Sequence, residues 1–102
     1  MSPPKISGTR IIVLATLHVP NNLPFDCWIQ FSRRLAESVG LTALRSDVQH
    51  YEPHGTTVTT YLAESHITIE TYPEDSLVEV EMASCKEFLP SYLNYPLSEL
   101  CS

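Results

Sequence analysis

Three β-like runs stand almost end to end in the second half of the chain, and their spacing restricts the fold more than any other feature. Thr57 to Ala63 and Ile67 to Tyr72 both alternate in polarity, and Pro73-Glu74-Asp75 leads into LVEVEMAS, Leu77 to Ser84. In that last run Val78, Val80 and Met82 share one face while Glu79 and Glu81 take the other, because successive strand side chains point to opposite sides. The connections hold only a few residues, too short for the crossover that parallel neighbours require. A meander of mainly antiparallel strands, with one face turned to a core, is expected.

The rest of the chain supplies the elements around that meander. From Arg10 to Val19 runs RIIVLATLHV, a mainly apolar, β-branched stretch expected to be a strand buried on both faces in the middle of the sheet. Pro20-Asn21-Asn22 ends it, and Pro24 is placed to open a helix. Trp28, Phe31, Leu35 and Val39 recur there at helical spacing, Arg33, Arg34 and Glu37 fall on the other side, and Gly40 stops it. Leu41 to Glu52 reads as a second strand, followed by the turn signal Pro53-His54-Gly55. The tail from Lys86 holds one short helical or irregular piece, interrupted by Pro90 and Pro96. The order β-α-β-β-β-β-(α) predicts an α+β fold, a two-layer α/β sandwich whose mainly antiparallel sheet is covered on one face by helices. With 102 residues, 43% of them hydrophobic, residues 1–102 are expected to form a single domain.

Composition narrows the function. Six Lys and Arg against twelve Asp and Glu give a net charge of −6, and the basic residues form no stripe, which argues against nucleic acid as a partner. An acidic balance suits a cationic small ligand. No run approaches the roughly 18 apolar residues of a membrane helix, and MSPPKISGTR lacks a signal-peptide core, so a cytoplasmic protein is expected. Cys27, Cys85 and Cys101 form neither a C-x-x-C pair nor an even set and are expected to be free thiols. His18, His50, His54 and His66 lack zinc-type spacing, so no metal is expected.

Between two strands a tight turn normally recruits residues that tolerate positive φ, yet YLAESHITIETYP places Glu64-Ser65-His66 there. With its flanks the segment reads YEPHGTTVTTYLAESHITIETYPE, and a cysteine, Cys85, follows twenty residues after the serine. From Tyr51 to Cys85 this resembles the prokaryotic-type S-adenosylmethionine decarboxylase proenzyme family, in which an aromatic-x-Pro-x-Gly turn precedes a strand ending in Glu-Ser-His, a Trp/Tyr-Pro-Glu step follows, and a cysteine closes the next strand. The resemblance implies self-cleavage between Glu64 and Ser65: Ser65 Oγ attacks the Glu64 carbonyl, the peptide becomes an ester, and loss of the Ser65 α-proton expels the Glu64 carboxylate. A pyruvoyl group then replaces Ser65 at the head of residues 65–102, the α chain, with residues 1–64 as the β chain. It also implies that this cofactor condenses with the substrate amine as a Schiff base and acts as electron sink during decarboxylation, in spermidine synthesis, within a homodimer. By matching position, Cys85 is the acid that protonates the substrate carbanion and Thr57 assists the ester step. Tyr51, His66 and Glu74 fall to the substrate, Tyr51 as an aromatic that stacks on adenine.

Two departures bear on activity. The family motif reads Ser-His-x-x-x-His, its second histidine taking the serine α-proton, and this chain has Glu70 there. Strand alternation keeps Glu70 on the face of His66 and Thr68, where a carboxylate can act as a base. Near the N-terminus the family's Gly-x-His and following acidic residue are replaced by Gly8-Thr9-Arg10 and Leu14, which opens the substrate to relatives of the reaction on arginine or ornithine. An unprocessed, non-catalytic binding subunit is the rival reading. A hydrolase with Ser65 as nucleophile and His50 or His54 as base gains no support, since no Gly-x-Ser-x-Gly elbow accompanies them.

Overall fold

The computed structural model describes residues 11–19, 23–63, 65–84, 94–98 and 100. Strand β1 (Ile11–His18) is followed by helix α1 (Phe25–Ser38), then by β2 (Ala43–His50), β3 (Thr56–Leu62), β4 (His66–Tyr72) and β5 (Leu77–Ser84), with a short helix α2 (Asn94–Ser98) last. The strands make one sheet in the order β1-β5-β4-β3-β2, every neighbouring pair antiparallel. The α+β sandwich expected from the sequence is thus observed, and the meander from β2 to β5 lies in the sheet in chain order.

Helix α1 forms where the apolar spacing placed it. Pro24 precedes the first turn with extended φ and ψ, a position where a missing N–H costs nothing, and Gly40 follows the last turn at φ +75°. The buried stripe of Trp28, Phe31 and Leu35 packs on Val58, Ile67, Ile69, Val78, Val80 and Met82, the inward residues of β3, β4 and β5. Trp28 and Phe31 meet edge to face with ring centroids 5.7 Å apart. Two hydroxyls enter this core: Ser32 and Thr60 are both fully buried and bond each other at 2.5 Å, and Thr60 Oγ1 also bonds Ser46 Oγ at 2.6 Å, as polar atoms out of water must. Pro96 of α2 is buried, and Leu97 packs against the same core.

Two expectations are corrected. Among the described residues strand β1 is an edge strand paired with β5, not the middle of the sheet. Its alternation is the reason: Ala15, Leu17 and Val19 pack on the core, whereas Leu14 on the opposite face is 60% exposed. The three cysteines are not all free, because Cys27, buried on α1, is disulfide-bonded, with its partner outside the described residues. Bridging follows spatial proximity, which spacing along the chain does not encode.

The second face of the sheet has no helix among the described residues. Register brings together on it Glu81, Thr68 and Thr59 in one row and Glu79, Glu70 and Thr57 in the next, so two carboxylates stand directly opposite each other between β4 and β5.

Candidate functional site

Residue 65 sits where β3 turns into β4. Tyr61 pairs with His66 in the last rung of the ladder, and the Leu62 N–H donates to the Ser65 carbonyl at 2.8 Å, closing the connection between β3 and β4. Ser65 Oγ is buried and has no hydrogen-bond partner among the described residues. Turn serines ordinarily bond nearby backbone, so a buried hydroxyl left without a partner is unusual. His66 is half-buried and faces Tyr61 and Ala83 on the neighbouring strands. Ser84, the residue before Cys85, ends β5 at this same end of the sheet, since the register pairs His66 with Ala83. Glu64 and Cys85 themselves lie outside the described residues.

A second group gathers at the opposite end of β3 and β4. A cavity of about 300 Å³ is lined by Tyr51, His54, Gly55, Thr57, Glu70, Thr71, Tyr72 and Glu74. Four residues singled out from the sequence, Tyr51, Thr57, Glu70 and Glu74, therefore share one concavity. Thr57 and Glu70 are direct cross-strand partners, and Thr57 Oγ1 lies 3.4 Å from the Tyr51 hydroxyl. The turn that carries Tyr51 is closed by its N–H donating to the Gly55 carbonyl at 2.9 Å. Gly55 is required there: its φ is +108°, and a Cβ would come within 3.3 Å of the Thr71 carbonyl oxygen. Thr71 Oγ1 in turn accepts the Thr56 N–H at 2.9 Å and ties the turn to β4.

The electrostatics of the cavity are acidic. Tyr72 donates its hydroxyl to Glu70 Oε2 at 2.7 Å. That bond, with burial and the charges of Glu70, Glu79 and Glu74 behind it, pushes the phenol up to about 12. His54 Nε2 lies 3.9 Å from Glu74 Oε2, both side chains exposed. Tyr72 was not singled out from the sequence as a site residue, although its signal was present, because residues two apart on a strand share a face.

The structure does not bring the two groups together within one chain. Ser65 and Glu70 are five residues apart along β4, so at the strand rise of about 3.3 Å per residue they are separated by roughly 16 Å. On the helix side of the 51–55 turn lies a further cavity of about 320 Å³, walled in part by Phe25, Trp28 and Pro53. Phe25 there meets the His50 ring edge to face at 5.3 Å. Among the described residues no group of three or more His, Cys, Asp or Glu could hold a metal ion, and no helix is long and apolar enough to cross a membrane.

Comparison with known proteins gives this arrangement a relation. The solved adenosylmethionine decarboxylase from Aquifex aeolicus VF5 superimposes with a TM-score of 0.68 at 24% identity, covering 94% of this chain and 83% of that one, which is a likeness of fold. The curated S-adenosylmethionine decarboxylase proenzyme of Aquifex aeolicus is 37% identical over 62 residues, 59% of this chain and 46% of that protein. The proenzyme of Clostridium botulinum strain Loch Maree is 30% identical over 63 residues, 62% of this chain and 54% of that protein. The chain spans about half the length of the curated relatives it matches. The family model described as S-adenosylmethionine decarboxylase matches residues 26–95, well over half of the sequence, from the first turn of α1 through the Glu64-Ser65 bend and into α2. On that match the chain belongs to the S-adenosylmethionine decarboxylase family.

Proposed function

We propose that the chain is a pyruvoyl-dependent decarboxylase of S-adenosylmethionine, acting in cytoplasmic spermidine synthesis and matured by self-cleavage between Glu64 and Ser65. The observation that carries this reading is the Ser65 hydroxyl, buried and without a hydrogen-bond partner among the described residues, at the connection of β3 to β4. A hydroxyl in that state is free to add to the adjacent carbonyl carbon of Glu64. The peptide C–N bond then breaks, the Ser65 nitrogen takes up a proton, and Glu64 is held as an ester on Oγ. Removal of the Ser65 α-proton expels the Glu64 carboxylate and leaves a dehydroalanine, which takes up water and releases ammonia.

The residues present fit a pyruvoyl group, since it replaces a side chain whose buried Oγ has no hydrogen-bond partner among the described residues. When formed, that group supplies an electron sink for the pair left behind as the substrate's α-carboxylate departs as carbon dioxide. Cys85 carries the proton returned to the substrate carbon, and Ser84 before it ends β5 beside the Ser65 end of the sheet. Tyr51 offers an aromatic face to adenine, while Glu74 and His66 contact the rest of the substrate. Thr57 assists the ester step and Glu70 takes the α-proton.

The roughly 16 Å between Ser65 and Glu70 along one strand supports a homodimer in which each site is shared. Two copies related by a twofold axis, packed through the uncovered face, set the Thr57–Glu70 end of one sheet against the Ser65 end of the other. The acidic balance and the two cavity carboxylates support a cationic substrate. Release of labelled carbon dioxide from carboxyl-labelled S-adenosylmethionine, but not from arginine or ornithine, is the expected result. Release from arginine or ornithine alone keeps the chemistry and changes the substrate, and release from none contradicts the proposal.

A second reading has a specific residue behind it. Glu70, where the family motif has histidine, favours an unprocessed, non-catalytic binding subunit. On that reading the purified chain stays intact and Glu70→His restores cleavage. On the first reading the wild-type chain cleaves on its own.

A further inference from the structure

Glu70 poses a problem that a histidine at the same position does not. A carboxylate on three rotatable bonds samples more orientations than an imidazole on two, and a proton-abstracting group must be held in one geometry. Glu79 stands directly opposite on β5, so charge repulsion drives the Glu70 carboxylate away from that strand. Glu74, which lines the same cavity, adds negative charge. Thr57, opposite on β3, offers no positive charge to hold it. The group that does hold it is two residues further along the same face: the Tyr72 hydroxyl donates to Glu70 Oε2 at 2.7 Å, and both side chains line the cavity with Thr57.

We propose that Tyr72 is a positioning residue, whose phenol fixes the Glu70 carboxylate beside Thr57 so that the free carboxylate oxygen is presented to the cavity. This deepens the proposed function and rests on it, because the proton to be taken is that of Ser65. The pair replaces one rigid base with a flexible one and a strut. Tryptophan at 72 would fill the space without a hydroxyl at that reach, and phenylalanine would remove the strut alone. The raised phenol pKa agrees with the contact: the main cause is the bond to Glu70, followed by burial and by the Glu70, Glu79 and Glu74 charges.

Two measurements on the full chain test it. In the first, tyrosinate absorbance is titrated in the wild type and in Tyr72→Phe, the difference giving the Tyr72 curve, and the comparison is repeated in a Glu70→Gln background. The expected midpoint is about 12 in the wild type, falling toward 10 when Glu70 is neutral. A midpoint near 10 in both backgrounds overturns the contact and the proposal. In the second, self-cleavage rates form a double-mutant cycle. Tyr72→Phe is expected to slow cleavage about tenfold where Glu70 is present and to change nothing in Glu70→Gln, since a residue acting through another has no effect once that one is lost. The pH profile of cleavage is expected to move in Tyr72→Phe, which a merely structural side chain would not cause. Equal slowing in both backgrounds overturns the positioning role. A wild type that never cleaves overturns the processing reading, and the role with it, while the titration still reports whether the hydroxyl and the carboxylate meet.

Discussion

A hydroxyl taken out of water without a partner costs about 1–3 kcal/mol, and Ser65 Oγ has none among the described residues, at a bend where other residues would be cheaper. Selection for stability alone would not keep it, whereas consumption of the hydroxyl in a reaction would. Replacing it should therefore separate chemistry from folding. Ser65→Ala is expected to leave stability in urea unchanged or raise it by up to about 1 kcal/mol, and to abolish cleavage. A loss of more than about 1 kcal/mol would mean that the hydroxyl is structural. Tyr72 gives a second statement at this scale. Its folded pKa of about 12 lies above the ordinary 10, so the bond to Glu70 contributes fully below pH 10 and is lost as pH rises from 10 through 12. Stability of the wild type relative to Tyr72→Phe should shrink across that alkaline window, as read from unfolding midpoints. The contact was legible in part: parity placed Glu70 and Tyr72 on one face, but which rotamers meet depends on neighbours such as Glu79 across the sheet, and no single strand records its partner.

Among the elements, the meander was the most legible, because β3, β4 and β5 write their inward and outward faces directly as alternation. Strand β1 was not. An apolar run can belong to the centre of a sheet or to an edge, and what decided it was pairing, among the described residues, with β5 alone. The 51–55 turn was legible as a Pro-Gly signal, and the structure adds why glycine is needed: positive φ and a carbonyl 3.3 Å from any added Cβ. Gly55→Ala is expected to cost about 1–3 kcal/mol in equilibrium unfolding and to weaken ligand binding at the Tyr51 cavity. An unchanged midpoint would show that the turn relaxes freely. The separation of Ser65 from Glu70 could have been read from the sequence, since five residues of strand have a fixed length. It went unread because a shared motif suggests a shared place.

At the scale of the molecule, one helical layer covers one face of the sheet, and the other face, with Glu70 opposite Glu79, is where the proposed second copy packs. The disulfide also acts at this scale. The chain has three cysteines, and the two that could partner Cys27, Cys85 and Cys101, both follow residue 65. Either bridge joins the two proposed fragments, and only a bridge to Cys101 leaves Cys85 the thiol that the proposed protonation needs. Cleaved protein is expected to migrate as one species without reductant and as two with it, and alkylation without reductant should find one free thiol per chain. Three free thiols, or fragments that separate without reductant, would contradict the bridge. None of this was legible from cysteine count and spacing, because the fold determines which thiols meet.

Residue 65, on the proposed function, is made as serine and ends as a pyruvoyl group. Intact mass spectrometry of freshly purified, reduced and denatured wild-type protein reads that conversion. Two polypeptides are expected, residues 1–64 with a normal C-terminus and residues 65–102 beginning with pyruvoyl. A single uncleaved chain that persists on incubation, with Ser65 still a serine, would contradict it.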